Sequence, residues 1–382
     1  MSQSFEQLGI IAPLVDGLKK AGITVPTGIQ AQVIPPALSG KDIIGQSATG
    51  TGKTLAYLLP LLQKIDNTRR ETQAMVLAPT YELAIQVHRQ IELVAKSAGM
   101  AVTAAPLIGN ANITRQIEKL KEKPHIIVGS SGRILELIQK KKITAPNIKT
   151  IVLDEADRLL DEQNLSSVTA VIKTTLKDRQ LMLFSATITP KTLARAKELL
   201  QHPEVITVAG QTNITPTITH MYFLAQQRDK IEVLRKLVRG LNIERALVFV
   251  NRSYDIEITA AKLNFHGLTA AGIHGSAEKL DRKNALEDFR RGKIQLLVAS
   301  DVAARGLDIP GVEYVVNLDM PDEPQVYLHR VGRTGRAGQS GTAVSIVTSH
   351  ETGFIKQCEK IFKINIAGKR MAKGRIFDIN KN

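Results

Sequence analysis

The chain has no tryptophan, a single cysteine (Cys358), and aromatic residues at only 4%. One cysteine excludes an internal disulfide, and no Cys/His spacing suits zinc, which together favour a reducing compartment. So few aromatics make a base-stacking platform of the single-strand-binding kind unexpected, and contacts to a sugar–phosphate backbone fit better. No apolar run approaches the length of a membrane span. The first residues, Met1-Ser-Gln-Ser-Phe-Glu, lack the basic-then-apolar pattern of a signal segment. The reading is a cytoplasmic chain with no membrane partner.

What is present is length and positive charge. At 382 residues the chain exceeds one ordinary core and points to two domains. Lys and Arg number 51 against 36 Asp and Glu, a net +15. The excess is shared: 25 basic against 18 acidic residues up to position 218, and 26 against 18 after it. A polyanion could therefore bind across both halves, as nucleic acid would. The plainer alternative is a basic, soluble surface.

The organising stretch is Asp42-Ile-Ile-Gly-Gln-Ser-Ala-Thr49-Gly50-Thr51-Gly52-Lys53-Thr54. Ile43-Ile44 reads as the end of a buried strand, and Leu55-Ala-Tyr-Leu-Leu has helical periodicity. Strand, glycine loop and helix in that order make a phosphate cradle, with backbone N–H groups turned inward and a helix N-terminus behind them. Lys53 would reach the β- and γ-phosphates of ATP, and Thr54 would place its hydroxyl on Mg²⁺. Ser47 departs from the generic motif, which has a glycine there.

Short apolar runs then alternate with helical patterns: Met75-Val-Leu-Ala, Ile126-Ile-Val, Ile151-Val-Leu and Leu181-Met-Leu-Phe. Such runs predict a mostly parallel sheet covered by helices on both faces. From about Glu204 to Ile218 the pattern lapses into Thr, Pro, Gly and Asn. The rhythm restarts with Ala246-Leu-Val-Phe-Val and continues to Ala343-Val-Ser-Ile-Val, without a second glycine–lysine loop. The predicted domains are 1–205 and 219–365, with a linker at 206–218. Residues 366–382 carry Lys369, Arg370, Lys373, Arg375 and Lys381 against only Asp378, and read as a mobile basic tail or a solvated end without a role.

The second anchor is Thr150-Ile-Val-Leu-Asp154-Glu155-Ala-Asp157. An apolar strand delivering acids at its C-terminal end sets them beside the phosphate loop. Asp154 would hold Mg²⁺ and Glu155 would orient and deprotonate the attacking water. The bland alternative is an ordinary strand-exit turn.

With Asp-Glu-Ala-Asp in view, the chain resembles the DEAD-box RNA helicases over nearly its whole length. Phe5, Thr27 and Gln30, Pro79-Thr80, Gly109, Ser130-Ser-Gly132-Arg133 and Ser185-Ala-Thr187 fall in the family's order. So do Ser300-Asp301, Arg305, Asp308 and His329-Arg330-Val-Gly-Arg333-Thr-Gly-Arg336. The resemblance implies an α/β fold of two tandem RecA-like domains, each a mostly parallel sheet flanked by helices. It implies ATP and Mg²⁺ as cofactors, with Phe5, Thr27 and Gln30 at the adenine and Asp308 at the ribose. Arg333 and Arg336 resemble arginine fingers. Asp157, Ser185, Thr187 and His329 would couple the lobes.

Pro79, Thr80, Gly109, Gly132 and Arg133, with Gly275, Ser300 and Asp301 in the second half, match positions that grip an RNA backbone. Such a grip is sequence-independent and salt-sensitive. The departures from the family pattern are Tyr81, Asn110, Ser131, Gly28, Ile23 and Lys279, and most of them lie on that side. The implied activity is RNA-stimulated ATP hydrolysis coupled to lobe closure and local opening of short duplexes, by a monomer. Ribosomal or RNA-decay proteins are the partners the family suggests. An ATP-gated RNA clamp and a DNA-translocating helicase are the competing readings.

Overall fold

A computed structural model describes residues 3–47, 50–109, 111–208, 217–274, 279–304, 312–335, 339–372 and 375–379. The chain divides into two compact units, Met1–Gly210 and Gln211–Asn382. Among the described residues no helix is long and apolar enough to cross a membrane.

The first unit has seven described strands: β1 (Ile43–Gln46), β2 (Ala74–Leu77), β3 (Ala104–Leu107), β4 (Ile126–Gly129), β5 (Thr150–Asp154), β6 (Gln180–Ser185) and β7 (Glu204–Thr207). They form one all-parallel sheet in the order β3-β4-β2-β5-β6-β1-β7. Successive residues of a strand enter different cores. Val76 and Val152 join the cluster on one face, and Leu77 and Leu153 that on the other. Both faces are dry, so both parities are apolar and no alternation shows in the sequence.

Parallel pairing brings the C-terminal ends of β1, β5 and β6 to one edge. The register sets Gln46 beside Ser185 and Asp154 beside Phe184. Two strands escape the sequence pattern. β3 is Ala-Ala-Pro-Leu, with Pro106 tolerated because the strand lies at the sheet's edge. β7 occupies the start of the expected linker, and 209–216 of that linker lie outside the described residues.

The second unit contributes β8 (Ile218–Leu224), β9 (Ala246–Phe249), β10 (Ala270–Ile273), β11 (Leu296–Ala299), β12 (Tyr314–Asn317), β13 (Gly341–Val347), β14 (Ile366–Ala372) and β15 (Arg375–Asp378). Their order is β10-β11-β9-β12-β13-β8-β14-β15, parallel throughout except for the β14–β15 pair. The free basic tail expected over 366–382 is corrected here. β14 pairs with β8, β15 folds back on β14, and Met371 and Ile376 pack on the core. Apolar residues interleaved with the basic ones allow one face of the hairpin to be buried while the other stays wet.

Candidate active site

The loop leaving β1 ends at Gly52, which begins the helix Lys53–Lys64 from a left-handed backbone (φ 89°). Any side chain at Gly52 would also strike the Gln30 amide. Ser47, in the generic glycine position, uses its hydroxyl to meet Thr51 Oγ1 at 2.7 Å and so ties the loop. Lys53 Nζ donates to the Ser47 carbonyl at 2.5 Å, which turns the ammonium back toward the end of β1. Burial lowers the Lys53 pKa to about 8, against the pull of Asp154, Glu155 and Asp157. Thr49 lies outside the described residues.

Thr27 caps the helix Gly28–Leu38, and the Gln30 side chain closes the cap by accepting from Thr27 N–H at 2.9 Å. The other end of that amide donates to the Gly52 carbonyl at 3.1 Å. Gln30 thus ties the cap of one helix to the start of the next. Phe5 presents no ring face to a base. It is 1% exposed and packs in the hydrophobic core. An isolated aromatic in the sequence carried no sign that its surroundings are apolar.

Asp154 ends β5 and is 4% exposed. Its carboxylate accepts from the Tyr57 hydroxyl at 2.8 Å and from Glu155 N–H at 3.0 Å. Burial raises its pKa, opposed by the Tyr57 bond and by Lys53. Tyr57, which the sequence reading passed over as one more apolar helix residue, is fully buried and tilted against Phe184 at 5.2 Å between ring centroids. Glu155 stands in the left-handed region, φ 51° and ψ 54°, before the short helix Ala156–Leu159. A non-glycine residue there costs on the order of 1–3 kcal/mol and is kept where its surroundings fix it.

Asp157 gathers Ser185 Oγ at 2.8 Å and Thr187 Oγ1 at 3.4 Å, so three of the four expected coupling residues meet in the first unit. Thr80 caps the helix Tyr81–Ser97, accepting from Leu83 N–H at 3.3 Å, with Pro79 before it half-buried. Gly109 and Gly132 are exposed, with open space where a side chain would stand. Arg133 holds the loop rather than offering an open fork. Its guanidinium donates to the carbonyls of Gly109 and Ala111 and pairs with Glu136. Ser131 meets Ser167 hydroxyl to hydroxyl at 2.7 Å.

In the second unit Arg330, 1% exposed, collects an entire polar network. It makes a two-pronged pair with Asp301, 2.6 and 2.7 Å, and donates to the Asp319 carbonyl, Asn317 Oδ1 and Asn251 Oδ1. Its guanidinium also lies 4.9 Å from the Phe249 ring centroid. Asp301, expected at the RNA backbone, has both of its carboxylate oxygens paired with Arg330. Ser300 is 6% exposed and caps the following turn through Ala303 N–H at 3.4 Å. His329 and Arg333 line one small cleft with Phe249, Asp301, Ala304 and Arg330. Gly275, Asp308 and Arg336 lie outside the described residues.

Known proteins are similar to this chain in sequence and in structure. Residues 27–196 match the DEAD/DEAH box helicase family model, and residues 229–338 match the helicase conserved C-terminal domain. The DEAD-box ATP-dependent RNA helicase CshC of Bacillus cereus is 42% identical over 93% of this chain and 90% of its own. The probable ATP-dependent RNA helicase YfmL of Bacillus subtilis is 42% identical over 93% and 94%. In structure, Saccharomyces cerevisiae Dbp5 bound to RNA and ADP–BeF3 aligns with a TM-score of 0.86 at 31% identity, covering 96% of this chain and 95% of that one. A glycine–lysine loop facing an Asp-Glu-Ala-Asp turn on one sheet edge, joined to matches of this extent, leaves one conclusion: the chain belongs to the DEAD-box family of helicases.

Proposed function

We propose that this chain hydrolyses ATP in response to RNA and uses the cycle to open short RNA duplexes or remodel ribonucleoproteins. The observation that carries the reading is that the helix start at Lys53 and Thr54 and the acid turn of Asp154 and the strained Glu155 stand at the C-terminal edge of one parallel sheet, with Lys53 under the pull of both acids. Lys53 would move from the Ser47 carbonyl to the nucleotide's phosphates. Thr54 and Asp154 supply hard oxygen donors that fit Mg²⁺, and a buried carboxylate with a raised pKa is one whose charge a cation would compensate. Bound there, Mg²⁺ would neutralise phosphate charge. Glu155, at the left-handed turn that follows Asp154, would take the proton of the attacking water.

Arg333 belongs to the second unit, so in this reading turnover requires the two units to close on the nucleotide, with RNA favouring closure. Gly109 and Gly132 present backbone rather than side chain to the RNA strand, which gives grip without base preference. ATP turnover measured with RNA, with DNA of the same sequence and with neither tests the reading. Stimulation by RNA alone is expected, and Lys53→Ala should abolish it. Equal stimulation by DNA would return the chain to the translocating helicases.

A further inference from the structure

The C-terminal hairpin carries a feature that the catalytic machinery does not use. Its register sets Arg370 of β14 opposite Phe377 of β15, with the guanidinium 5.7 Å from the ring centroid. Both side chains are exposed, and Phe377 retains 44% of its surface. Arg375, two residues before Phe377 on the same face, is exposed as well. The opposite face is anchored: Met371 and Ile376 pack on the core. The hairpin's described acid, Asp378, is tied to Lys369 across the strands at 2.5 Å. The outward face thus carries two exposed arginines beside a partly exposed aromatic ring, with Arg370 set over that ring.

We propose that this face is an auxiliary binding site for single-stranded RNA, separate from the helicase track of the same unit. Arg370 and Arg375 would meet phosphates, and the Phe377 ring would take the face of a base. Basic residues on an edge strand also guard against unwanted pairing, but that purpose calls for charge alone and not for an exposed phenylalanine. The composition argued against stacking platforms in general; Tyr81, Tyr254 and Phe265 are exposed as well, and Phe377 differs from them in the arginine described over its ring.

Six strand spacings separate β15 from β11, whose end carries Ser300. At ~4.8 Å per spacing the two regions stand roughly 29 Å apart. A strand just long enough to saturate the core track would not reach the hairpin, whereas a longer strand would.

The proposal rests on the RNA reading above, and strand length separates the two. Fluorescein-labelled oligouridylate is titrated into the full chain without nucleotide, once with the shortest strand that saturates ATP turnover and once with a strand several times longer. Phe377→Ala should weaken the long strand about 5- to 150-fold, the scale of one lost base stack, and leave the short strand unchanged. Phe377→Tyr should behave as the parent. Arg370→Ala with Arg375→Ala should reduce the salt slope for the long strand by about 1.4, or ~0.7 per phosphate contact. ATP turnover at saturating RNA should be the parent's in all three.

Equal losses on short and long strands, with a lowered melting temperature, would make the residues structural and overturn the site. So would undiminished affinity for the long strand, which would leave the face to a protein partner. A parent that binds neither strand would remove the function reading and this site together.

Discussion

The Tyr57 hydroxyl donates to Asp154 Oδ2 at 2.8 Å inside the first unit, where both side chains are buried. Tyr57 stands one helical turn after Lys53, so the helix that carries the lysine also fixes the acid at the end of β5. Tyr57→Phe keeps the ring and removes the donor. The buried carboxylate then loses a partner worth about 1.5–3 kcal/mol. Chemical denaturation should show unfolding free energy lowered by that amount, and ATP turnover should fall with it. A variant equal to the parent in both measurements would make the bond idle.

Glu155→Gln should retain ATP and RNA while stalling hydrolysis, because the amide keeps the shape and accepts no proton. Nucleotide affinity and turnover, measured side by side, separate these effects. Turnover at the parent rate would assign the base elsewhere.

Arg330 and Arg333 lie in one segment yet should fail differently. Arg330→Lys cannot reproduce a fork that reaches Asp301, Asn317, Asp319 and Asn251 together. Its expected defect is stability, by about 3 kcal/mol, the low end for breaking a buried pair because Asp301 keeps some exposure. Arg333→Ala should melt as the parent does and bind ATP, but turn over roughly 10³-fold more slowly, the scale of a lost arginine finger. Melting curves and single-turnover hydrolysis of the two variants should cross over. A stability loss at Arg333 with normal chemistry would refute the finger.

His220 on β8 is 5% exposed and shares a 2.9 Å hydrogen bond with the Tyr327 hydroxyl. Burial depresses its pKa from 6.5 to about 4. The unfolded chain therefore binds the proton more readily between those values, so stability is full above pH 6.5 and is lost as pH falls toward 4. The loss should be on the order of 3 kcal/mol. Denaturation at pH 7.5 and pH 4.5 should show the parent losing more than His220→Gln does. Parallel losses would clear His220 of the effect.

The strands flanked by helices were legible because runs such as Ile151-Val-Leu are apolar at both parities, which only a doubly covered sheet requires. The phosphate loop and acid turn were legible because their chemistry is local in sequence. Tyr57 and Arg330 were not. Their partners stand 97 residues away for Asp154 and 29 for Asp301, and no local pattern encodes such distances. Phe5 misled because position in a pattern says nothing of burial. The hairpin misled because charge dominated the count while Met371 and Ile376 did the packing.

The placement of β8 between β13 and β14 sets an order of events during synthesis. β8 is the first strand of its unit to be made, yet both neighbours come more than 100 residues later, at Gly341–Val347 and Ile366–Ala372. At the usual ~5–20 residues per second, its two edges stay bare for several seconds or more after it leaves the ribosome. The sheet of the first unit has all its described strands by Thr207 and can close in that interval. A nascent chain halted before Ile366 would present β8 with an open edge, a template for pairing with another chain. Interrupted translation should accordingly yield aggregation-prone fragments.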